Sequence, residues 1–158
     1  MKKLISVLLI LTVLGTAYAS ADAAFQAGIY NSYAEMIFDL PKVDIDLSYT
    51  TEDAFTGGVI TLWSDDNVMI GFIESKDGDL TGAFCADLVN NDAEFLVRCA
   101  CVLFAFEMWD ETMYQPLFDA YIHARKMAQA YAVDLNDNDR LIMGKSDSGF
   151  MMYIVQKE

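Results

Sequence analysis

The stretch that decides the fold of this chain is NDAEFLVRCACVLFAFEMW, residues 91–109. It is almost uninterrupted apolar sequence, and Arg98 is the only charged residue between Glu94 and Glu107. Asn91 and Glu94 have the spacing of a helix N-cap and a glutamate that reaches back to it, which satisfies free amide groups at a helix start. Apolar side chains then recur every three or four residues and also occupy other sides of the helix. The sequence therefore predicts a central helix that is buried on more than one face.

The first 19 residues have the pattern of a secretory signal peptide. Two lysines precede an apolar run over residues 4–14, and Ala17-Tyr18-Ala19 offers small residues at a cleavage site. The apolar run is shorter than the roughly 20 residues that a membrane span needs. We therefore expect cleavage after Ala19, as in a bacterial exported protein. The mature chain would lie in the periplasm or outside the cell, with no stable membrane anchor.

The mature chain, residues 20–158, is short and strongly acidic. Because residues 1–19 hold two lysines and no acid, eight basic and 24 acidic residues remain, a formal net charge of −16. Such a charge repels nucleic acid and anionic membrane surfaces, and it favours solubility. A chain of this length suits one globular domain with a core of its own. We expect a single domain over residues 20–158 that binds no nucleic acid.

The three cysteines give little sign of a metal site or a disulfide. Cys99 and Cys101 point about 200° apart on a helix, so they cannot bond to each other or share one metal ion. On the preceding strand the side that carries Phe84 is the better core face, which places Cys85 on the opposite side. We expect three free thiols that pack as small apolar groups. A disulfide from Cys85 to the helix stays open as the alternative.

The residues around the central helix predict a first helix and a set of strands. The first helix is expected over residues 24–40 and ends before Pro41. A strand with one wet face is expected over residues 43–50, where apolar and polar residues alternate. Turn signals separate five further strands, expected over residues 59–63, 68–75, 80–88, 141–144 and 150–155.

A second long helix is predicted from Thr112 to Tyr131, antiparallel to the central helix because the link between them is short. Thr112 and Gln115 have the spacing of a capping box, and residues 134–139 form a polar loop. This order predicts an α+β fold: a single antiparallel sheet of about five or six strands with an antiparallel helix pair packed on one face and an N-terminal helix. We expect that N-terminal helix to cover the other face of the sheet.

His123 is the only histidine, so any histidine-dependent hydrolase site must use it. Asp119 lies one helical turn earlier, where it could orient the imidazole. Nothing in the sequence aims a nucleophile at this position, although Cys85 or a loop serine could supply one. A solvent-facing helix surface explains the same residues. A hydrolase that uses His123 and Asp119 is therefore an alternative hypothesis.

Three other short segments match binding or catalytic motifs only in part. Residues 134–139 alternate oxygen donors as a calcium loop does, but Asp139 stands where that loop needs glycine. Gly144-Lys145-Ser146 is similar to the end of a phosphate loop but leads into a hairpin. Asp44 and Asp46 share one strand face, where charges also deter edge pairing. We expect no metal, cofactor or catalytic residue here, with weak calcium binding at the surface as a second alternative.

Aromatic and methionine side chains exceed what one helix-facing layer of a sheet requires. They are Trp63, Trp109, Tyr114, Tyr121, Met143, Met151, Met152 and Tyr153. Adaptable methionines and amphipathic aromatic rings suit a surface that binds a partner or a ligand. The sequence therefore predicts an exported acidic α+β domain that works by non-catalytic binding of a protein or an apolar ligand. A homodimer formed through the sheet face is one form of this hypothesis.

Overall fold

A computed structural model of the chain describes residues 21–53, 57–106, 108–110, 112–127, 129–147 and 149–157. The predicted signal peptide, residues 1–19, lies outside them. The described helices are α1 (Ala21–Phe38), α2 (Asp92–Ala105) and α3 (Tyr114–Met127). The strands are β1 (Tyr49–Glu52), β2 (Val59–Ser64), β3 (Val68–Glu74), β4 (Leu80–Asp87), β5 (Tyr131–Asp134), β6 (Asp139–Ser146) and β7 (Gly149–Gln156).

The described strands form one antiparallel sheet in the order β1-β2-β3-β4-β7-β6-β5. Strands β1 to β4 form a meander, and β7 returns beside β4 so that the last hairpin joins the same sheet. The predicted α+β class and the single antiparallel sheet are confirmed. The sheet has seven described strands, however, where five or six were predicted.

The predicted strand over residues 43–50 is wrong in most of its length, because β1 begins only at Tyr49. The Asp44 carboxylate accepts a hydrogen bond from the Asp46 amide, and the Asp44 carbonyl accepts one from the Leu47 amide. These bonds close a turn, since an aspartate side chain that satisfies nearby amides competes with strand pairing. Asp44 and Asp46 therefore do not share a strand face.

The seventh strand, β5, occupies residues that the sequence assigned to the end of the second helix and the loop after it. Helix α3 ends at Met127, and Tyr131 pairs with Met143 of β6. Tyr131 and Val133 alternate with Ala132 and Asp134, a period-two pattern that four residues are too short to distinguish from a continuing helix. The prediction of a helix to Tyr131 is therefore wrong.

All three helices lie on the same side of the sheet, which corrects the predicted position of the N-terminal helix. Buried Ala27, Tyr30 and Ala34 of α1 belong to the same apolar core as Ile70 and Cys85 of the sheet. The Tyr33 ring of α1 stacks on Phe104 of α2 with 4.5 Å between ring centroids. Helix α1 thus packs beside α2. The expectation that it covers the opposite face of the sheet is wrong.

The central helix is buried as predicted. Its N-cap is Asn91, whose side-chain oxygen accepts a hydrogen bond from the Glu94 amide at 3.4 Å. Fully or almost fully buried residues then lie on several of its sides: Phe95, Arg98, Cys99, Cys101, Val102, Leu103 and Ala105. The Glu94 carboxylate accepts hydrogen bonds from the side chains of Asn91 at 3.1 Å, Asn67 at 3.4 Å and Arg98 at 2.7 Å. The capping glutamate therefore serves the buried cation as well.

The core-facing side of strand β4 is the opposite of the one predicted. Cys85 faces the helices and is fully buried, whereas Phe84 lies on the other face with its ring edge toward Tyr153. Both sides of β4 carry apolar residues, so alternation alone could not choose the face; the small side chains of Ala83 and Cys85 are the ones that lie under α2. The three cysteines are buried free thiols, and burial raises the pKa of the Cys99 thiol.

The guanidinium of Arg98 is a buried junction between four parts of the chain. It is 0% exposed and donates to the Tyr30 hydroxyl at 2.7 Å and to the Pro41 carbonyl at 3.0 Å. It also lies 2.7 Å from a Glu94 carboxylate oxygen and 3.0 Å from one of Asp65. These bonds connect α1, the segment after it, α2 and the β2–β3 turn. A buried cation with this many partners is fully compensated.

We expect Arg98→Met to lower the free energy of unfolding by about 3–5 kcal/mol, because Glu94 and Asp65 would keep their charges in a largely buried place without a cation. Lys42→Met is the matched control, since Lys42 pairs with Glu35 where both side chains are more than half exposed. That pair should contribute at most about 1 kcal/mol. Urea unfolding of both variants measures the difference. Equal small losses in the two variants would contradict the structural role of Arg98.

Candidate functional site

The sheet face that points away from the three helices carries a second, smaller apolar cluster. We call this side the open face, because no described helix covers it. Ile60, Leu62 and Ile73 are its buried members, and Met69, Phe84 and Tyr153 pack against them. The pairing of Ile60 with Ile73 and of Phe84 with Tyr153 puts these residues on one side of neighbouring strands.

Two glycines leave room on the sheet surface for the side chains of this cluster. A Cβ atom at Gly71 would lie 2.6 Å from Leu62 Cδ2, and one at Gly82 would lie 2.8 Å from Ile73 Cδ1. Both distances are shorter than carbon atoms tolerate, so the isoleucine and leucine side chains occupy space that a larger residue would need. At Gly82 the Ile154 carbonyl oxygen, 2.5 Å from such a Cβ atom, also requires glycine. Glycine inside a strand often marks such a close approach. This half of the open face is therefore closed by its own side chains.

A cleft of about 870 Å³ lies on the open face beside this cluster, over β6 and β7. Its floor consists of Ile142 and Gly144 from β6 and of Met151, Tyr153 and Val155 from β7. Alternate residues of a strand point to the same face, so β7 lays a continuous apolar row along the cleft. The volume falls within the roughly 300–1,000 Å³ of small-molecule pockets, which are lined mainly by apolar side chains.

Gly144 explains part of the depth of the cleft. A Cβ atom at this position would meet nothing within 4 Å, so the space above the strand is empty here. Its strand partner Met151 is 42% exposed, although it stands in the interior of the sheet order. A missing side chain beside an exposed methionine leaves a hollow with an adaptable apolar wall.

Polar groups gather at one end of the cleft. They come from the β3–β4 turn, the start of β4 and the end of β7, and they are Ser75, Lys76, Thr81, Gln156 and Lys157. The Lys157 ammonium donates to the Asn136 carbonyl at 2.6 Å and lies 3.3 Å from an Asp134 carboxylate oxygen. Lys76 is exposed and forms no ion pair with a described residue. The cleft therefore has an apolar floor and one cationic end.

Tyr153 connects the floor of the cleft to the β1–β2 loop. Its hydroxyl donates a hydrogen bond to the carboxylate of Asp53, which is 5% exposed. The backbone of Asp53 bonds to Gly57 and Gly58 on the far side of the same loop, and these glycines line the cleft. Burial, and then the bond to Asp53, raises the pKa of Tyr153 well above its ordinary value. This tyrosine is a neutral hydrogen-bond donor that positions a wall of the cleft.

The structure does not join His123 to Asp119. His123 is exposed on α3 and its ring stacks on Tyr131, with 4.3 Å between centroids. The Asp119 carboxylate accepts a hydrogen bond from the Gln115 amide at 2.8 Å, so it is already engaged within the helix. Cys85, one of the proposed nucleophiles, is sealed in the core. His123 and Asp119 also lie on the helix side of the sheet, away from the cleft.

The acidic segment after β5 is a β-hairpin loop. Several of its side-chain oxygen atoms, and one of Asp134 beside it, accept hydrogen bonds from nearby groups. Asp134 accepts from Arg140 at 2.7 Å, and this bond lowers the pKa of the Asp134 carboxyl. The side-chain oxygen of Asn136 accepts from the amides of Asn138 and Asp139. Among the described residues, no group of three or more histidines, cysteines or acids is placed to hold a metal ion.

The remaining sequence candidates are distributed over several environments. Gly144, Lys145 and Ser146 lie in the extended strand β6, so their amides do not surround an anion. Of the surplus aromatic and methionine residues, Met151 and Tyr153 line the cleft, whereas Trp63, Met143 and Met152 fill the helix-side core. Tyr114 is exposed on α3, and Trp109 and Tyr121 pack on the helix side.

Of the residues that line the cleft, only Met151 and Tyr153 were predicted from the sequence as part of a binding surface; Lys76, Ile142, Gly144 and Val155 are among those that were missed. One signal could have found some of them. Residues 150–155 are apolar at every position, so both sides of that strand are apolar, although only one side can face the helices. No local pattern marks Lys76 or Gly144, because their neighbours come from other strands.

No protein-family model, curated protein or solved structure matches this chain. Among the residues that the structure describes, no helix is long and apolar enough to cross a membrane.

We expect Tyr153→Phe to lower the free energy of unfolding at pH 7 by about 1 kcal/mol, because a buried carboxylate loses a hydrogen-bond donor. The raised pKa adds a pH dependence. Above pH 10, where an unfolded tyrosine loses its proton, the folded protein keeps the proton on Tyr153, so wild-type stability falls as the pH rises. The variant should lose less stability between pH 8 and pH 10.5.

Urea unfolding at pH 7, 8 and 10.5 measures both the stability loss and its pH dependence. Tyr114→Phe, at an exposed position on α3, is the control and should leave the stability at pH 7 within about 0.5 kcal/mol of wild type. A Tyr153→Phe variant with the wild-type stability and pH slope would contradict the role of the hydroxyl.

Proposed function

We propose that this protein is a non-catalytic binding protein that holds an apolar small molecule in the cleft on its open face. The observation that carries the proposal is the cleft itself: about 870 Å³ over an apolar floor, on a side of the sheet that no described helix covers. Burial of an apolar ligand there would remove Met151, Ile142 and Val155 from water. Each buried Å² of apolar surface contributes about 25 cal/mol.

A small molecule fits this surface better than a protein partner does. Protein interfaces bury about 800 Å² on each side and need a broad complementary patch. On the open face, Ile60, Leu62 and Ile73 are already buried under their own neighbours. Tyr49 beside Leu62 is exposed but is a single ring, so the concave part offers the larger apolar surface. A hollow that is empty above Gly144 is also the wrong shape for a flat homodimer interface.

We also propose that the protein is exported and acts in the periplasm or outside the cell. The support is the N-terminal pattern of residues 1–19, together with the high negative charge of the remaining chain. An apolar molecule is poorly soluble in such an aqueous compartment. A soluble acidic domain with a sheltered apolar cleft is suited to carry or sequester it.

The two other functions have weaker support. A hydrolase would need His123 beside an orienting acid and a nucleophile, but its ring stacks on Tyr131 while Asp119 bonds to Gln115. A calcium protein would need several carboxylates directed at one point, but Asp134 pairs with Arg140, and no group of three or more acids among the described residues is placed to hold a metal ion. We therefore keep the ligand-binding proposal as the leading one.

The test uses the neutral fluorescent dye N-phenyl-1-naphthylamine and a variant that fills the cleft. We expect the wild-type protein to bind the dye with saturation at one site. Gly144→Leu should weaken binding by more than tenfold, because the new side chain occupies the empty space above β6. Replacing a glycine inside a β-strand with a larger residue should not lower the stability of the protein.

Gly28→Leu is the matched control, since a Cβ atom at Gly28 of α1 also meets nothing within 4 Å and lies on the helix side. It should bind the dye as wild type does. The chain is produced with its own N-terminus in an exporting host, and intact mass is expected to match residues 20–158. Equal dye affinity in Gly144→Leu and wild type would contradict the cleft as the binding site. A stable dimer that binds no dye would indicate the sheet-face homodimer instead.

A further inference from the structure

We infer that the ligand of the cleft is an amphipathic carboxylate, an extended apolar chain with one negatively charged head group, and that Lys76 binds the head group. This inference rests on the proposed ligand-binding function. It adds the chemical class of the ligand and its direction in the cleft.

The shape of the floor favours a chain-like tail. The cleft follows β7 from Met151 to Lys157, six residues further along. At about 3.3 Å per residue this path is about 20 Å long. Met151, Tyr153 and Val155 all face the cleft, so the apolar row continues along this path. A compact ring system would contact only part of such a row, whereas an extended tail contacts all of it.

The polar groups lie at one end of this path. The β3–β4 turn, which contains Ser75 and Lys76, follows the end of β3, and the antiparallel order places it at the same end of the sheet as the end of β7. A ligand whose tail lies along β7 therefore presents its head group to this turn. The apolar and the charged parts of the ligand would each meet a matching part of the cleft.

Charge gives the sign of the head group. Residues 20–158 contain only eight basic residues against 24 acidic ones, yet two of the eight, Lys76 and Lys157, line this one cleft. The Lys157 ammonium is already engaged by the Asn136 carbonyl and by Asp134, which it shares with Arg140. Lys76 forms no ion pair with a described residue, so its ammonium is available to an anion. In so acidic a chain, a free cation beside an apolar cleft is charge complementarity to an anionic amphiphile.

The geometry of the turn supports a single negative charge. The Ser75 hydroxyl oxygen accepts hydrogen bonds from the amides of Asp77 and Asp79, both at 3.2 Å. Its own hydroxyl proton can then be donated to a head group. Neither Asp77 nor Asp79 lines the cleft. One ammonium and one hydroxyl donor match a carboxylate, which accepts at two oxygens and carries one charge.

The experiment compares decanoate with decanol as competitors for N-phenyl-1-naphthylamine on the exported protein. The two compounds share the tail and differ in the head group. On wild type we expect decanoate to compete about fivefold better than decanol, since an ion pair with an exposed lysine contributes at most about 1 kcal/mol. Lys76→Met should remove this advantage and leave the affinities of decanol and the dye unchanged. Lys76→Arg keeps the charge and should restore most of it.

Lys126→Met is the control for net charge, because Lys126 is exposed on α3 on the other side of the sheet. It should leave the competition of both compounds as in wild type. Equal competition by decanoate and decanol on wild type, or an unchanged decanoate advantage in Lys76→Met, would overturn the head-group inference while the cleft still binds the dye. A wild-type protein that binds neither dye nor decanoate would overturn the proposed function as well.

Discussion

The arrangement of this protein depends on the buried guanidinium of Arg98. It bonds at once to Tyr30 in α1, to Glu94 in α2 and to Asp65 in the β2–β3 turn, so the first helix is tied to the side of the sheet where α2 lies. A buried cation cannot release the Glu94 or Asp65 carboxylate without leaving a charge uncompensated, and releasing Tyr30 would leave a buried donor without its acceptor. The N-terminal helix is therefore held beside the central helix. The opposite face of the sheet receives no helix among the described residues.

This sheet has apolar residues on both sides but described helices on only one. The apolar residues of its second side must therefore be shielded from water in another way. Near β2 and β3 the chain does so with its own side chains, since Leu62 and Ile73 lie over Gly71 and Gly82. Over β6 and β7 this cover ends, and the missing side chain of Gly144 leaves a hollow. The cleft therefore forms where neither a described helix nor the side chains of the sheet cover the apolar residues of the open face. Its apolar floor and cationic end make it the place on the described surface that best fits a ligand.

Much of the fold could be predicted from the sequence, because the deciding signals are local. The apolar stretch over residues 91–109 and the capping Asn91 depend on neighbours in the sequence, and the structure confirms a buried helix there, although it ends at Ala105. Short elements were missed for a physical reason. Four residues such as 131–134 hold too few periods to separate a strand from the end of a helix, and their pairing partner decides.

For the candidate site, the sequence predicted only the kind of surface and not its position in the fold. Surplus methionine and aromatic residues indicated a binding surface, and Met151 and Tyr153 do line the cleft. The position of the first helix could not be predicted, since it follows from the long-range bonds of Arg98 to Tyr30 and Pro41. The face of Cys85 was predicted wrongly, because both sides of its strand are apolar. Lys76 reaches the cleft through strand order, which no local pattern contains.

The central claim is that a ligand binds to one side of β7 and not to the other. Methyl-labelled nuclear magnetic resonance measures this directly, because Met151 and Met152 are neighbours on opposite faces of the same strand. During titration with decanoate we predict saturable shifts of the Met151 and Ile142 methyl signals, with Met143 and Met152 unchanged. Shifts confined to Met152, or equal shifts at exposed Met36 and Met127, would contradict a specific site in the cleft.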